Sequence, residues 1–164
     1  MMTKLKLNLE YARRHLFVVA VFLSLGSWFM YDGLVAYPKT PAHELYESIE
    51  KSKAPEGFDL EGFKKQKIQS QKFFSCFLLF ASAVVLFRLW RSYRFDFSFD
   101  GDKIRFNGSE MLIADITEVD KTRWEKNSIL KLKTKSNTIV LDGWHHNGVA
   151  EFVQILSRSG LLSR

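Results

Sequence analysis

The stretch Phe73–Phe87 (FFSCFLLFASAVVLF) holds fifteen residues without a charge, and nothing else in the chain limits its fold as strongly. As a helix it covers about 22 Å, short for the ~30 Å hydrocarbon core of a bilayer. Lys72 and Arg88 bracket it, and their charges can reach outward while their stems stay in the apolar zone. Residues 73–90 therefore read as a membrane span. An earlier run, Leu16–Tyr31, holds sixteen uncharged residues and covers about 24 Å as a helix. The single cysteine, Cys76, lies inside the later run. No internal disulfide can form, and Cys76 reads as a small buried hydrophobe.

Residues 1–37 are the N-terminal flank and first span. Lys4, Lys6, Arg13 and Arg14 precede the apolar run with Glu10 as the one acid, and Trp28, Tyr31 and Tyr37 sit where an interfacial aromatic belt belongs. No small-residue cleavage site follows the run, so a cleaved signal peptide is disfavoured. Arg13-Arg14 resembles a twin-arginine export signal only faintly. Two arginines holding the inner end of a span is the simpler reading.

Residues 38–72 form an outer helical segment, expected to lie against the membrane surface. From Asp32 to Lys72 there are seven lysines and seven acids, so the stretch is neutral. Asp32-Gly33 reads as a helix C-cap and turn, with a ligand-binding turn as the alternative. Thr40-Pro41 predicts a helix start, a Thr N-cap with Pro at N1. Ala54-Pro55-Glu56-Gly57 breaks the chain, and Asp59 is placed to cap a second helix. Nothing stops that helix before Phe73, so it should run straight into the second span. Ala20, Ser24 and Ser27, with Ser75, Ala81 and Ser82, are small enough to let the two spans approach closely.

Lysine and arginine counts set the orientation. Around the first span they are four on the inner flank against Lys39 and Lys51 beyond it. Around the second, Lys53, Lys64, Lys65, Lys67 and Lys72 balance Arg88, Arg91, Arg94, Lys103 and Arg105. The first span breaks the tie. The expectation is a multi-pass protein of the cell inner (plasma) membrane with both termini cytoplasmic.

Residues 91–164 are a small β-rich module. From Tyr93 to Phe99 the residues alternate, and Phe95, Phe97 and Phe99 share one face. Asp100-Gly101 and Asn107-Gly108 predict hairpin turns around Lys103–Phe106. Met111, Leu112, Ile113 and Ile116 follow, with an irregular turn at Ala114-Asp115. Glu118–Trp124, Ser128–Lys135 and Thr138–Trp144 read as strands, joined by turns at Glu125-Lys126-Asn127 and Ser136-Asn137. Asn147 is expected to cap a terminal amphipathic helix carrying Val149, Phe152, Val153, Ile155 and Leu156, with Gly160 at C′ and Leu161 at C″.

The order YRF…DGDKIRFNG…IADITEVDKTRW…ILKLKTKSNTIVL followed by a helix, over residues 91–158, resembles the bacterial pleckstrin-homology-like (PH-like) domains that follow transmembrane helices. Asp115-Ile116…Val119 and the lysine-rich strand after it carry the likeness. The resemblance implies an α+β membrane protein: a two-helix transmembrane hairpin plus a PH-like antiparallel β-sheet or half-barrel closed by a helix. It also implies a scaffolding or binding role and no enzyme activity, and it carries over no binding residues.

Six cations, Lys121, Arg123, Lys126, Lys131, Lys133 and Lys135, are the candidate lipid- or partner-binding set. Glu118, Asp120 and Glu125 lie among them, so a solvated sheet face with cross-strand ion pairs competes with that role. The net charge of +6 fits positive-inside anchoring or anionic headgroups better than nucleic acid. His145-His146 would chelate poorly, because neighbours on a strand point to opposite faces. Trp124 and Trp144 read as edge-packing or interfacial aromatics. No nucleophile–base pair, phosphate loop or paired carboxylate is evident. The reading is a non-catalytic membrane scaffold without cofactor or metal. Its expected partners are the bilayer, anionic headgroups, and other membrane proteins or a second copy. The alternatives are an accessory subunit of a larger membrane complex, and a sensor whose outer segment reads a ligand.

Overall fold

The computed structural model describes residues 2–135 and 137–162, so Ser136 of the proposed Ser136-Asn137 turn lies outside the described residues. The protein is α+β, with two long apolar helices and antiparallel sheets. Two compact units are present: Met1–Arg14 with Arg88–Arg164, and His15–Phe87.

The sheet unit takes in the start of the chain. Strands β1 (Thr3–Lys4) and β2 (Lys6–Leu7) precede helix α1 (Leu9–Tyr31). β1 pairs with β3 (Phe97–Asp100), which continues through β4 (Lys103–Phe106) to β5 (Ser109–Leu112), in the order β1-β3-β4-β5. A 3-10 turn at Ile113–Asp115 leads into β6 (Ile116–Asp120). β7 (Ile129–Thr134) and β8 (Thr138–Asp142) complete a second sheet, β6-β7-β8, and β9 (His146–Asn147) pairs with β2. All of these pairs are antiparallel.

The core follows the alternation of the strands. Phe97, Phe99, Ile104, Leu130 and Leu132 point inward, as the period of two predicts, and Ile139 and Leu141 join them from β8. Leu5, only 2% exposed, joins them from the N-terminal strand. The C-terminal helix is Val149–Arg158. It inserts Phe152 between Phe97 and Phe99, with ring centroids 5.1 and 5.0 Å away. Its end is a Schellman motif: Leu161 N–H donates to the Leu156 carbonyl and Gly160 N–H to that of Ser157.

Several boundaries differ from the expectation. The long helix runs through Tyr93, so Tyr93 does not begin a strand and β3 starts four residues later. The first hairpin loop is Gly101-Asp102, because Asp100 pairs with Lys103. Asn107-Gly108 forms its turn with φ of 49° and 82° at the two positions, the type I′ requirement. The strand expected to reach Trp124 stops at Asp120, and Trp124–Asn127 is a one-turn helix, α5. The terminal helix, α6, is preceded by Gly148 in place of Asn147, which is held in the β2-β9 pair. Gly148 has φ of 98°, and a Cβ there would meet Leu5 Cδ2 at 3.0 Å, so both backbone and packing demand glycine.

In the helical unit α1 does not end at Asp32-Gly33. It continues as a π-helical turn, Asp32–Ala36, and a last turn α2 (Tyr37–Lys39). Gly33 packs into the partner helix here: a Cβ would meet the Lys72 side chain at 3.1 Å and Gln71 Cβ at 3.2 Å. The expected turn is therefore absent. Helix α3 (Ala42–Glu50) has Pro41 at its cap, while Thr40 Oγ1 donates back to the Ala36 carbonyl at 2.9 Å. Helix α4 (Leu60–Tyr93) is continuous as expected, with Asp59 Oδ1 accepting from Gly62 N–H at 2.8 Å. Tyr46, Phe58 and Phe63 cluster between α3 and the start of α4, with centroids 4.9 to 6.0 Å apart.

The stretches Leu9–Lys39 and Leu60–Tyr93 are each long and apolar enough to cross a membrane. They meet antiparallel. Gly26 faces Leu78 and Leu79, and Ser75 Oγ donates to the Gly26 carbonyl at 2.8 Å. Val19, Gly26 and Gly33 recur every seven residues on one side, and Ser75 and Ser82 do so on the other. All five are buried. Of the small residues expected in the contact, Ala20, Ser24 and Ser27 instead face outward, displaced by the Val19–Gly26–Gly33 stripe. Cys76 is likewise exposed, one position round from buried Ser75.

Candidate functional site

The six candidate cations do not form one uniform patch. β6 and β7 align Glu118 opposite Lys133 and Asp120 opposite Lys131, with a bulge between Ile116 and Glu118. Lys133 Nζ lies 2.9 Å from Glu118, and Lys131 Nζ 3.7 Å from Asp120. Lys121 Nζ donates to the Leu162 carbonyl at 2.8 Å. Arg123 and Lys126 lie at the α5 turn that precedes β7, and Lys135 follows its other end. Six strand residues separate those ends by roughly 20 Å. Two of the cations are thus held in cross-strand pairs, and the remaining ones are spread along the sheet.

Electrostatics along this face follow from the pairing. Hydrogen bonds from the Thr122 side chain and backbone, at 2.7 and 3.0 Å, hold the Asp120 carboxyl below its ordinary range. Lys131 and Lys133 add to the effect. The hydrogen bond from Lys133 to Glu118, reinforced by the opposite charge, raises the Lys133 ammonium above its ordinary value.

Two shallow grooves flank the N-terminal strands. One, of about 450 Å³, lies between residues 4–7 and 92–96. The other, of about 440 Å³, lies between Thr3, Lys4 and Lys6 and the face of α6 that carries Glu151, Gln154 and Arg158. Lys4 and Lys6 border both, since alternation sends them outward while Leu5 goes to the core. Lys4 Nζ pairs with Asp96 at 2.8 Å. This basic edge escaped the sequence reading, which treated these lysines only as flanking charge. The signal was the period-2 string Thr3-Lys4-Leu5-Lys6-Leu7.

His145 and His146 occupy a junction. His146 is buried, and its Nε2 lies 3.0 Å from the Ser92 carbonyl. The His145 ring packs on Tyr11 at 4.2 Å, and its carbonyl accepts from Asn8 N–H at 2.8 Å. The dipeptide thus touches both the start of α1 and the end of α4. Among the described residues no group of three or more His, Cys, Asp or Glu is placed to hold a metal ion. Trp124 packs partly buried against the core, whereas Trp144 is exposed. Compared with known proteins, the chain matches no family model, no curated protein and no solved structure.

Proposed function

We propose that the protein is a non-catalytic, membrane-anchored scaffold or binding module, with a PH-like sheet unit at the cytoplasmic face of the inner membrane. One observation carries this reading. Thr3 and Lys4 pair with Phe99 and Ser98, although the two apolar helices lie between them in sequence. A bilayer cannot divide a hydrogen-bonded strand pair, which supports a topology with Thr3–Lys4 and Phe97–Asp100 in one compartment and an even number of crossings between them. The pairing also joins the Lys/Arg-rich flank of the first helix to the sheet unit, which supports a cytoplasmic location for both termini. A four-stranded and a three-stranded antiparallel sheet followed by one helix support the PH-like assignment. Arg123, Lys126 and Lys135, without ion pairs among the described residues, are the members of the cation set available to a partner.

A second reading, an accessory subunit of a larger membrane complex, draws on Ala20, Ser24 and Ser27. Small residues on the outward side of an apolar helix permit close contact with another helix. Reporters active only outside the cytoplasm, fused in turn to each end of the chain, test the first reading. Silence from both is expected, and signal from either overturns it. Sizing after gentle detergent extraction separates the two: a large stable assembly favours the second reading.

A further inference from the structure

We propose that the groove between residues 4–7 and 92–96 binds the phosphate of an anionic lipid headgroup, with Lys6 and Arg94 as its charged contacts. The inference rests on the membrane-anchored reading above and names a ligand class and a site for it.

The charges of the groove are unequally spent. Lys4 and Asp96 satisfy one another at 2.8 Å. Lys6 and Arg94 line the same groove, are exposed, and have no carboxylate partner among the described residues. The guanidinium of Arg94 lies over the Trp90 ring, with Cζ 5.2 Å from the centroid. A cation–π contact holds the guanidinium near the ring without using up its N–H donors, which suit a phosphate. Tyr93, 75% exposed, adds a phenol at the rim of the groove.

Position along α4 favours a lipid over a free ion. The uncharged run ends at Phe87, and Tyr93 is six residues further, about 9 Å along a helix axis. A headgroup layer is roughly 5 to 8 Å deep on each side of the hydrocarbon. The uncharged run covers about 22 Å of the ~30 Å core, so the hydrocarbon edge falls about 4 Å past Phe87. Trp90 and Tyr93 then lie in the layer where interfacial aromatics collect. Two cations in an open groove hold a small anion weakly against water, but the same two select strongly at a surface where phosphates are already concentrated.

The test uses the full chain in nanodiscs of phosphatidylcholine doped with brominated phosphatidylglycerol or brominated phosphatidylcholine. Trp90 is left as the sole fluorophore by Trp28→Phe, Trp124→Phe and Trp144→Phe. Quenching by the anionic lipid should exceed that by the zwitterionic one, on the order of tenfold in apparent affinity. Lys6→Gln with Arg94→Gln should abolish the preference, and Lys103→Gln with Arg105→Gln, exposed on β4 away from the groove, should keep it. Equal quenching by the two lipids, or a preference that survives Lys6→Gln/Arg94→Gln, overturns the proposal. So does loss of the preference on adding inorganic phosphate, which would identify a free-anion site. If the single-tryptophan background does not fold, phospholipid co-purifying with the wild-type chain and with Lys6→Gln/Arg94→Gln, quantified by mass spectrometry, reads the same preference. An alkaline carbonate wash of native membranes separates the two ideas. Release of the protein defeats the membrane-anchored reading, whereas retention without lipid preference defeats only the groove.

Discussion

His146 Nε2 lies 3.0 Å from the carbonyl oxygen of Ser92, which makes a histidine of β9 the partner of the last turn of the long second helix. A carbonyl only accepts, so Nε2 carries the proton of this bond. Nδ1 is buried and has no partner among the described residues. The ring packs on Phe95, with centroids 4.8 Å apart. His146→Ala removes the donor and opens a cavity, and should destabilise the sheet unit by about 2 to 4 kcal/mol. His146→Phe keeps the volume and should cost about 1 kcal/mol. Urea unfolding followed by near-ultraviolet circular dichroism distinguishes them. Equal losses from the two variants would show that the hydrogen bond, not the ring's volume, holds the junction.

Leu5 makes the N-terminal strand part of the core. It contributes from a position separated from the rest of the sheet by both long helices. Leu5→Ala should cost about 2 to 5 kcal/mol. A fragment beginning at residue 88 lacks β1, β2 and this side chain, and should be aggregation-prone or poorly cooperative in unfolding. Joining residues 2–8 to it through a flexible linker should restore a cooperative transition. A fragment that unfolds as sharply without the strand would show that β1 and β2 are peripheral.

The alternation of Phe97–Phe99, Lys103–Phe106, Leu130–Leu132 and Ile139–Leu141 was legible because each strand buries one face and the period is two. The continuous helix from Asp59 to the second apolar run was legible for a similar local reason: a cap at the start and no breaker after it. The N-terminal strand was not, although Lys4-Leu5-Lys6-Leu7 alternates. Its partners, Phe99 and His146, are distant in sequence, and no local pattern specifies a pairing across two helices. Lys4 and Lys6 also carry positive charge before an apolar run, which has a sufficient explanation of its own. Asp32-Gly33 misled for the opposite reason. Gly33 is there for close approach to Gln71 and Lys72, and a contact across a helix pair leaves the same residue in the sequence as a turn does.

Gly26 sets the spacing of the two long helices. An added Cβ would meet Leu79 at 3.1 Å and Leu78 at 3.4 Å. Gly26→Leu should force the helices apart at a cost of about 1 to 3 kcal/mol. Ser75→Ala removes one hydrogen bond to a carbonyl and should cost about 1 kcal/mol or less in a membrane-like solvent. Ser24→Leu, on the outward side, should leave the pair unchanged. Thermal unfolding in a mild detergent, followed by tryptophan fluorescence, ranks the three. A loss for Ser24→Leu as large as for Gly26→Leu would mean that the outward face is itself in contact.

Asp120 and Lys133 give the second sheet a predictable response to pH. Hydrogen bonds from Thr122 hold the folded Asp120 carboxyl below its ordinary value of 3.8, with Lys131 and Lys133 assisting. A depressed carboxyl stabilises the fold fully above its unfolded pKa, and that contribution fades as pH falls through the lower folded value. Lys133 is shifted the other way, above 10.5, by Glu118. Its contribution is complete below 10.5 and fades as pH rises through the raised folded value. Both side chains are open to solvent, so each effect is small and weakens with salt. Asp120→Asn should lower the urea midpoint at neutral pH, and its gap from the wild-type chain should close as pH drops below 3.8. Thr122→Ala should behave alike at the acidic end, while Lys133→Gln should close its gap only at the alkaline end. A gap for Asp120→Asn that stays constant from pH 7 into the acid range would assign its effect to packing instead of charge.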